Sequence, residues 1–250
     1  MTTLATDSRS AVGCPAFVLH VREGYDDRER HVDSMMADKH IDFEYVLDGD
    51  MSDLTPGLLA EYFAGDMARR TPATSCAMKH LIACRHIVER GLDGALVLED
   101  DIILLDRFTD IFRKGMAELA ANGEWRTRPV IVNYEDTRLR FVPRSKRVRG
   151  RVLYEGDRDR MTGALYVNAR AARLILDRAR SCKMDCPIDL FHCRLLRQGL
   201  LTYLWCQPVI ATQGSHTGMF RSGINLTKSA HEAISWKLKL YYKRLLYFLR

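Results

Sequence analysis

Several absences narrow the reading of this 250-residue chain before any motif is weighed. No stretch approaches the roughly 18 uninterrupted apolar residues of a membrane-spanning helix, so the chain reads as soluble or peripheral. The N-terminal MTTLATDSRSAVG has no apolar h-region and does not read as a signal peptide. The cysteines, at 14, 76, 84, 182, 186, 193 and 206, are odd in number and lack paired CxxC spacing. Cys182 and Cys186 are four apart but have no His/Cys partner pair. The thiols therefore read as mostly reduced and partly buried, in keeping with the cytosol. There is no internal repeat, no low-complexity stretch and no linker strong enough to divide the chain.

What is present is ordinary in bulk. Hydrophobic residues make up 47% and charged residues 28%, the proportions of a globular protein long enough to bury a substantial core. The net charge of +6 is modest but local. Seven Lys/Arg fall between Arg138 and Arg151 with no acid among them, and six fall between Lys228 and Arg250 against one Glu. Such surfaces serve phosphate groups, nucleic acid or an anionic membrane, or are simply solvated.

Apolar runs and helical spacings alternate. AFVLHV (16–21), FEYVL (43–47), ALVLE (95–99), PVIVNY (129–134), ALYVN (164–168) and TYLWC (202–206) read as strands, with a short one at RVLYE. Helices are expected from about Arg28 to Lys39, over 55–67, from a Thr74 cap to Arg90, after Asp106, from Ala169 to about Cys182, and from near Pro187. This alternation predicts an α/β fold, a mixed, mostly parallel sheet flanked by helices. The expected organisation is one domain over 14–227 with a C-terminal amphipathic helix over 228–250.

The conspicuous feature is Glu99-Asp100-Asp101 at the end of an apolar strand. Like charges this close repel, and burying them without a compensating cation is costly. Sheets of this class place ligand chemistry at the carboxyl ends of strands. Period-two alternation puts Glu99 and Asp101 on one side and Asp100 opposite, giving a hard-oxygen site for Mn²⁺ or Mg²⁺ that suits a diphosphate leaving group. The alternative is a solvated strand end whose acids favour the N-terminus of the next helix.

Five segments in order resemble glycosyltransferase family 25, which includes lipooligosaccharide and collagen galactosyltransferases. FVLHVREGYDDRERH resembles its N-terminal strand and Arg-containing loop. TSCAMKHLIACRHIVERGLDGALVLEDDI is similar to its central Gly-Cys-x-x-Ser-His helix leading into Leu-Glu-Asp-Asp. MTGALYVNARAARLIL, CPIDLFHCRLLRQGL and the 213–224 stretch are similar to its later blocks, so the likeness runs from about 16 to 226. The chain departs at Ser75 and Lys79, where the family usually has Gly and Ser.

The resemblance implies a GT-A-like nucleotide-diphosphate-sugar fold and inverting transfer to an acceptor hydroxyl. Glu99 and Asp101 would form the metal site, Asp101 coordinating directly, with Asp100 beside them. Asp189, at a helix start, is the candidate base, or else an acid serving the helix dipole. His216 would complete the metal shell or bind a phosphate. Arg22 and Arg28 would approach the nucleotide, and Thr162 and Gly163 the sugar, since Gly permits close backbone approach. His80 reads equally as a helical histidine satisfied internally. UDP-galactose is the favoured donor, and lipopolysaccharide or another lipid-linked glycan the acceptor.

In the tail, Ile234, Leu238, Tyr241, Leu245 and Phe248 follow helical spacing, with Lys237, Lys243, Arg244 and Arg250 off that stripe. This suits a helix lying in an anionic membrane surface, or one packing on the domain or a second subunit. The expected location is the cytoplasm, at the inner face of the cytoplasmic membrane. Two competing functions stand beside transfer. A sugar-nucleotide nucleotidyltransferase would carry a Gly-rich loop after the first strand, whereas VREGYDDR has a single Gly. A catalytically silent membrane scaffold would not need the triplet. Nucleic acid is not an expected partner, because the basic loop lacks the interleaved aromatics that base stacking uses.

Overall fold

The apolar runs become strands whose alternate residues are buried on opposite faces of one sheet. The computed structural model describes residues 10–136, 140–158 and 160–220, with Tyr242 and Leu245. The helix expected over 228–250 lies outside the described residues but for those two positions, both exposed.

The first half contains β1 (Ala16–Leu19), α1 (Asp26–Asp38), β2 (Glu44–Val46), α2 (Pro56–Tyr62), α3 (Pro72–Glu89) and β3 (Gly94–Glu99). A short strand β4 (Ile102–Leu104) precedes α4 (Phe108–Ala121), α5 (Gly123–Thr127) and β5 (Val130–Asn133). Then come β6 (Leu153–Glu155), β7 (Ala164–Asn168), α6 (Ala169–Cys182), α7 (Ile188–Arg197), β8 (Thr202–Cys206), β9 (Ala211–Gln213) and the single turn α8 (Gly214–Thr217).

Seven strands form the main sheet in the order β2-β1-β3-β7-β5-β8-β6. β2, β1, β3, β5 and β8 run in one direction; β7 and β6 run against them. The expected mixed, mostly parallel sheet flanked by helices is present. Its central strands are apolar on both faces, as strands covered on both sides must be. Phe17, Leu19, Ala95, Val97, Ile131, Leu165 and Tyr203 pack with α2, α3, α6 and α7. Their neighbours Ala16, Val18, Leu96, Leu98, Val130, Val132 and Leu204 pack with α1 and α4.

β4 and β9 pair in a separate two-stranded sheet. Both are three residues long, too short to show a period, and neither is apparent in the sequence. α3 begins earlier than expected. Thr71, not Thr74, is its cap: Thr71 Oγ1 accepts the Thr74 amide at 3.1 Å, with Pro72 at the first helical position. Similarly, α4 starts at Phe108 after Arg107 rather than after an Asp106 cap.

α3 also fixes the loop after β2. Gly49 has φ +92° and no room for a β-carbon, which would lie 2.9 Å from Ile82 Cδ1. Ser75 Oγ donates to Gly49 O at 2.8 Å. Lys79 Nζ donates to Leu47 O at 2.9 Å and pairs with Asp50 Oδ1 at 2.8 Å, almost fully buried. The two positions that depart from the family pattern therefore clamp one loop. Lys79→Met should cost about 3 kcal/mol in urea denaturation, since it removes the buried partner of Asp50 and leaves that carboxylate, among the described cations, only the looser 3.5 Å contact with Arg22. Adding Asp50→Asn should restore most of that loss; a double variant no better than the single one would show that the pair is not coupled.

Candidate active site

The carboxyl ends of β1, β3 and β5 meet at one sheet edge, and the antiparallel β7 starts there between β3 and β5. Glu99 ends β3, and Asp100 and Asp101 form the turn into β4. The turn rotates the three carboxyls into different surroundings. Asp100 Oδ2 faces His20 Nδ1 at 2.8 Å and its Oδ1 accepts from Arg28 Nη1 at 2.6 Å, all three groups buried. Burial pulls the Arg28 guanidinium down, but Asp100 more than reverses this. Arg28 also packs over Tyr25, at 4.6 Å, and Phe220.

Glu99 collects donors instead. Its Oε1 accepts from Thr162 Oγ1 at 2.7 Å and lies 3.3 Å from His80 Nε2 and 3.9 Å from Cys76 Sγ. Asp101 is left with an uncompensated oxygen. Its Oδ1 is buried with no hydrogen-bond partner among the described residues. Burial first, and then the Glu99 charge, push the Asp101 carboxyl up to about 6, against relief from Ser215 and Arg28. A fourth acid, Glu135, follows β5 and is fully buried. Burial and the Glu99 charge hold it well above the usual carboxylate range. Its Oε2 accepts the Gly163 amide at 2.8 Å.

Gly163 is needed for this approach. A β-carbon there would lie 2.9 Å from Glu135 Oε2 and 3.0 Å from Gln213 Nε2. The nearby Met161 adopts φ +79°, a left-handed conformation costing roughly 1–3 kcal/mol in a residue with a β-carbon. Its carbonyl is held by Asn133 Nδ2 at 3.0 Å and Tyr203 Oη at 3.3 Å. The strain turns Thr162 toward Glu99 and Gly163 toward Glu135. From the other side, the Gly214 amide donates to Asp101 O at 2.6 Å, bringing α8, and with it the His216 backbone, to the acidic turn.

The structure thus gathers Arg28, Glu99, Asp100, Asp101, Thr162 and Gly163 at one edge. Asp189, in the first turn of α7, is near enough that its charge, after burial and the Glu99 and Asp100 charges, helps raise the Cys76 thiol. Arg22 is turned away to an exposed cluster, bonded to Asp53 at 2.7 Å and Asp48 at 2.7 Å. His20, Glu135 and Gln213 were not singled out from sequence. The first two directly follow or nearly follow a strand at the same edge, so the strand-end rule that marked Glu99 applies to them as well. Two cavities of about 730 and 520 Å³ lie at the opposite edge, around Cys14 and Leu92. Neither gathers the acids, and the chemistry rather than the larger void marks the site.

The family model for glycosyltransferase family 25 (LPS biosynthesis protein) matches residues 23–191, a span that contains the triplet, Thr162, Gly163 and Asp189. The chain belongs to glycosyltransferase family 25. No curated protein matches this family 25 chain. Among solved structures, it is similar to a mannose-1-phosphate geranyltransferase from Thermus thermophilus, at 14% identity and a TM-score of 0.27. That match covers 90% of the family 25 chain and 49% of the other, so the chain spans about half the length of that structure.

Asp101 supplies a direct test of the site's electrostatics. Its folded-state value of about 6 exceeds the ordinary 3.8, so ionisation destabilises the metal-free fold, and the penalty fades as pH falls from about 6 to about 4. In EDTA at pH 7, Asp101→Asn should therefore be more stable than wild type by about 3 kcal/mol, with the difference gone near pH 4. A destabilised or pH-indifferent variant would contradict this account.

Proposed function

We propose that this family 25 protein is an inverting glycosyltransferase that moves a hexose, galactose from UDP-galactose being the donor the resemblance favours, to a hydroxyl of lipopolysaccharide or another lipid-linked glycan. The observation that carries the reading is the pair of the part-buried Glu99 and the buried Asp101, with its unpartnered Asp101 oxygen, inside the family-matched span. Such an oxygen-rich set, short of positive charge, fits a divalent cation. Glu99 and Asp101 would hold Mn²⁺ or Mg²⁺, with His216 as a further candidate. When bound, the ion offsets charge developing on the diphosphate leaving group.

The chain's own residues do the rest. The His20–Asp100–Arg28 set fixes the turn, so that Asp100 is spent on structure and Glu99 and Asp101 are left to the ligand. Thr162 orients Glu99, and Gly163 leaves space beside the sugar. Asp189 takes the acceptor proton as the hydroxyl attacks the anomeric carbon. Arg22, exposed after β1, is available to phosphate oxygens once it leaves its aspartates.

Calorimetric titration with a panel of nucleotide diphosphates and nucleotide-sugars, in Mn²⁺ and in EDTA, tests the reading. One nucleotide should bind only with metal, and Asp101→Ala should abolish that binding. If no nucleotide in the panel binds, the donor site is lost and the silent scaffold becomes the better description.

In our reading the basic C-terminal segment attaches this activity to the inner face of the cytoplasmic membrane. No helix among the described residues is long and apolar enough to cross a membrane. The domain over 14–227 would carry the chemistry and residues 228–250 the attachment to anionic lipid. Deleting 229–250 should release the protein from anionic liposomes in a flotation assay; undiminished binding would remove the tail from this role.

A further inference from the structure

Cys76 and His80 are four residues apart on α3, so they share one helical face. That face meets the end of β3, and the Cys76 Sγ, His80 Nε2 and Glu99 carboxylate oxygen all lie within 4.8 Å of one another. The Sγ–Oε1 and Nε2–Oε1 separations are 3.9 and 3.3 Å. A tetrahedral zinc ion with its usual bond lengths sets ligand edges of roughly 3.3–3.6 Å between such atoms. The two edges to Glu99 are thus within about 0.5 Å of those values, and the Cys76–His80 edge stays inside 4.8 Å.

We propose that Cys76, His80 and Glu99 form a binding site for a thiophilic divalent cation, Zn²⁺ above all, which shares Glu99 with the proposed donor site.

The chemistry selects the ion. A thiolate and an imidazole prefer Zn²⁺ or Co²⁺, whereas Mg²⁺ prefers oxygen ligands and retained water. Glu99, Asp100, Asp189 and Asp101 surround the thiol closely enough to influence it, and their field attracts a cation to the same place. On binding, the Cys76 S–H bond breaks, the sulfur lone pair goes to the metal and the proton leaves to solvent. If instead the three groups only hydrogen-bond one another, Cys76 stays a thiol and no metal–sulfur bond forms. The regulatory consequence rests on the proposed donor site, but the cation site itself does not. With Glu99 engaged by Zn²⁺, the Mn²⁺-dependent nucleotide site is incomplete, so zinc acts as a reversible inhibitor of the transferase.

Co²⁺ titration of the full chain without nucleotide tests the site directly. The expected result is a near-ultraviolet thiolate-to-cobalt band that saturates at one equivalent and is bleached by Zn²⁺. Cys76→Ser should lose the band, His80→Ala should weaken Co²⁺ binding by about tenfold or more, and Cys186→Ser should leave both unchanged. No band, or a band kept at full amplitude in Cys76→Ser, would overturn the site. Should Cys76→Ser misfold by circular dichroism, the wild-type protein still decides. One equivalent of Zn²⁺ should block alkylation of Cys76 mapped by mass spectrometry, and unaltered alkylation overturns the proposal. A cobalt band in a protein that binds no nucleotide supports this site while removing the donor reading. Mn²⁺-dependent nucleotide binding that is untouched by saturating Zn²⁺ overturns the sharing of Glu99.

Discussion

Everything at the functional edge follows from one electrostatic constraint: four carboxyl groups, Glu99, Asp100, Asp101 and Glu135, converge where three strands end. Each is accommodated by a different physical means. Asp100 is neutralised by Arg28 and bonded to His20. Glu99 is surrounded by hydrogen-bond donors. Glu135 is fully buried, its carboxyl held well above the usual range by burial and the Glu99 charge, and it accepts the Gly163 amide. Asp101 has none of these in full, and its buried oxygen faces no donor among the described residues. The stability forgone there is why the proposed donor site is centred on Asp101.

The surrounding framework is correspondingly rigid. Lys79 and Ser75 hold the loop after β2 from within α3, and Asn133 and Tyr203 hold the left-handed Met161. These groups sit behind the site, yet they set the direction of the side chains in front of it. The departures at Ser75 and Lys79 consequently alter how one loop is fastened while leaving the acidic turn unchanged.

Much of this was legible in the sequence because the central strands obey a period of two and α6 opens directly on Asn168, whose side chain caps it. ALYVN and TYLWC have the same limits in the structure as in the apolar pattern. The acidic triplet was visible for the same reason, as charge interrupting an apolar run. The alternation that set Asp100 opposite its neighbours assumed a continuing strand, whereas a turn begins at Asp100. Glu135 was hidden because a single acid after a strand looks solvated until the sheet order places it beside Glu99. The Cys76–His80–Glu99 grouping depends on a helix packing across a strand, a contact between distant segments that local spacing does not encode.

The position of β7 has a consequence for how the protein assembles. Leu96 of β3 and Val132 of β5 both pair with Tyr166 of β7, and among the described residues no other strand of the main sheet joins the two sides. The chain up to β5 holds β2, β1 and β3 but lacks the strand that joins them to β5. A ribosome must deliver β7, which ends at Asn168, before the acids have their final neighbours. Contacts this distant in sequence slow folding, and they make the sheet a single cooperative unit rather than two separable lobes. The edge that gathers the carboxylates is among the last parts of the main sheet to exist.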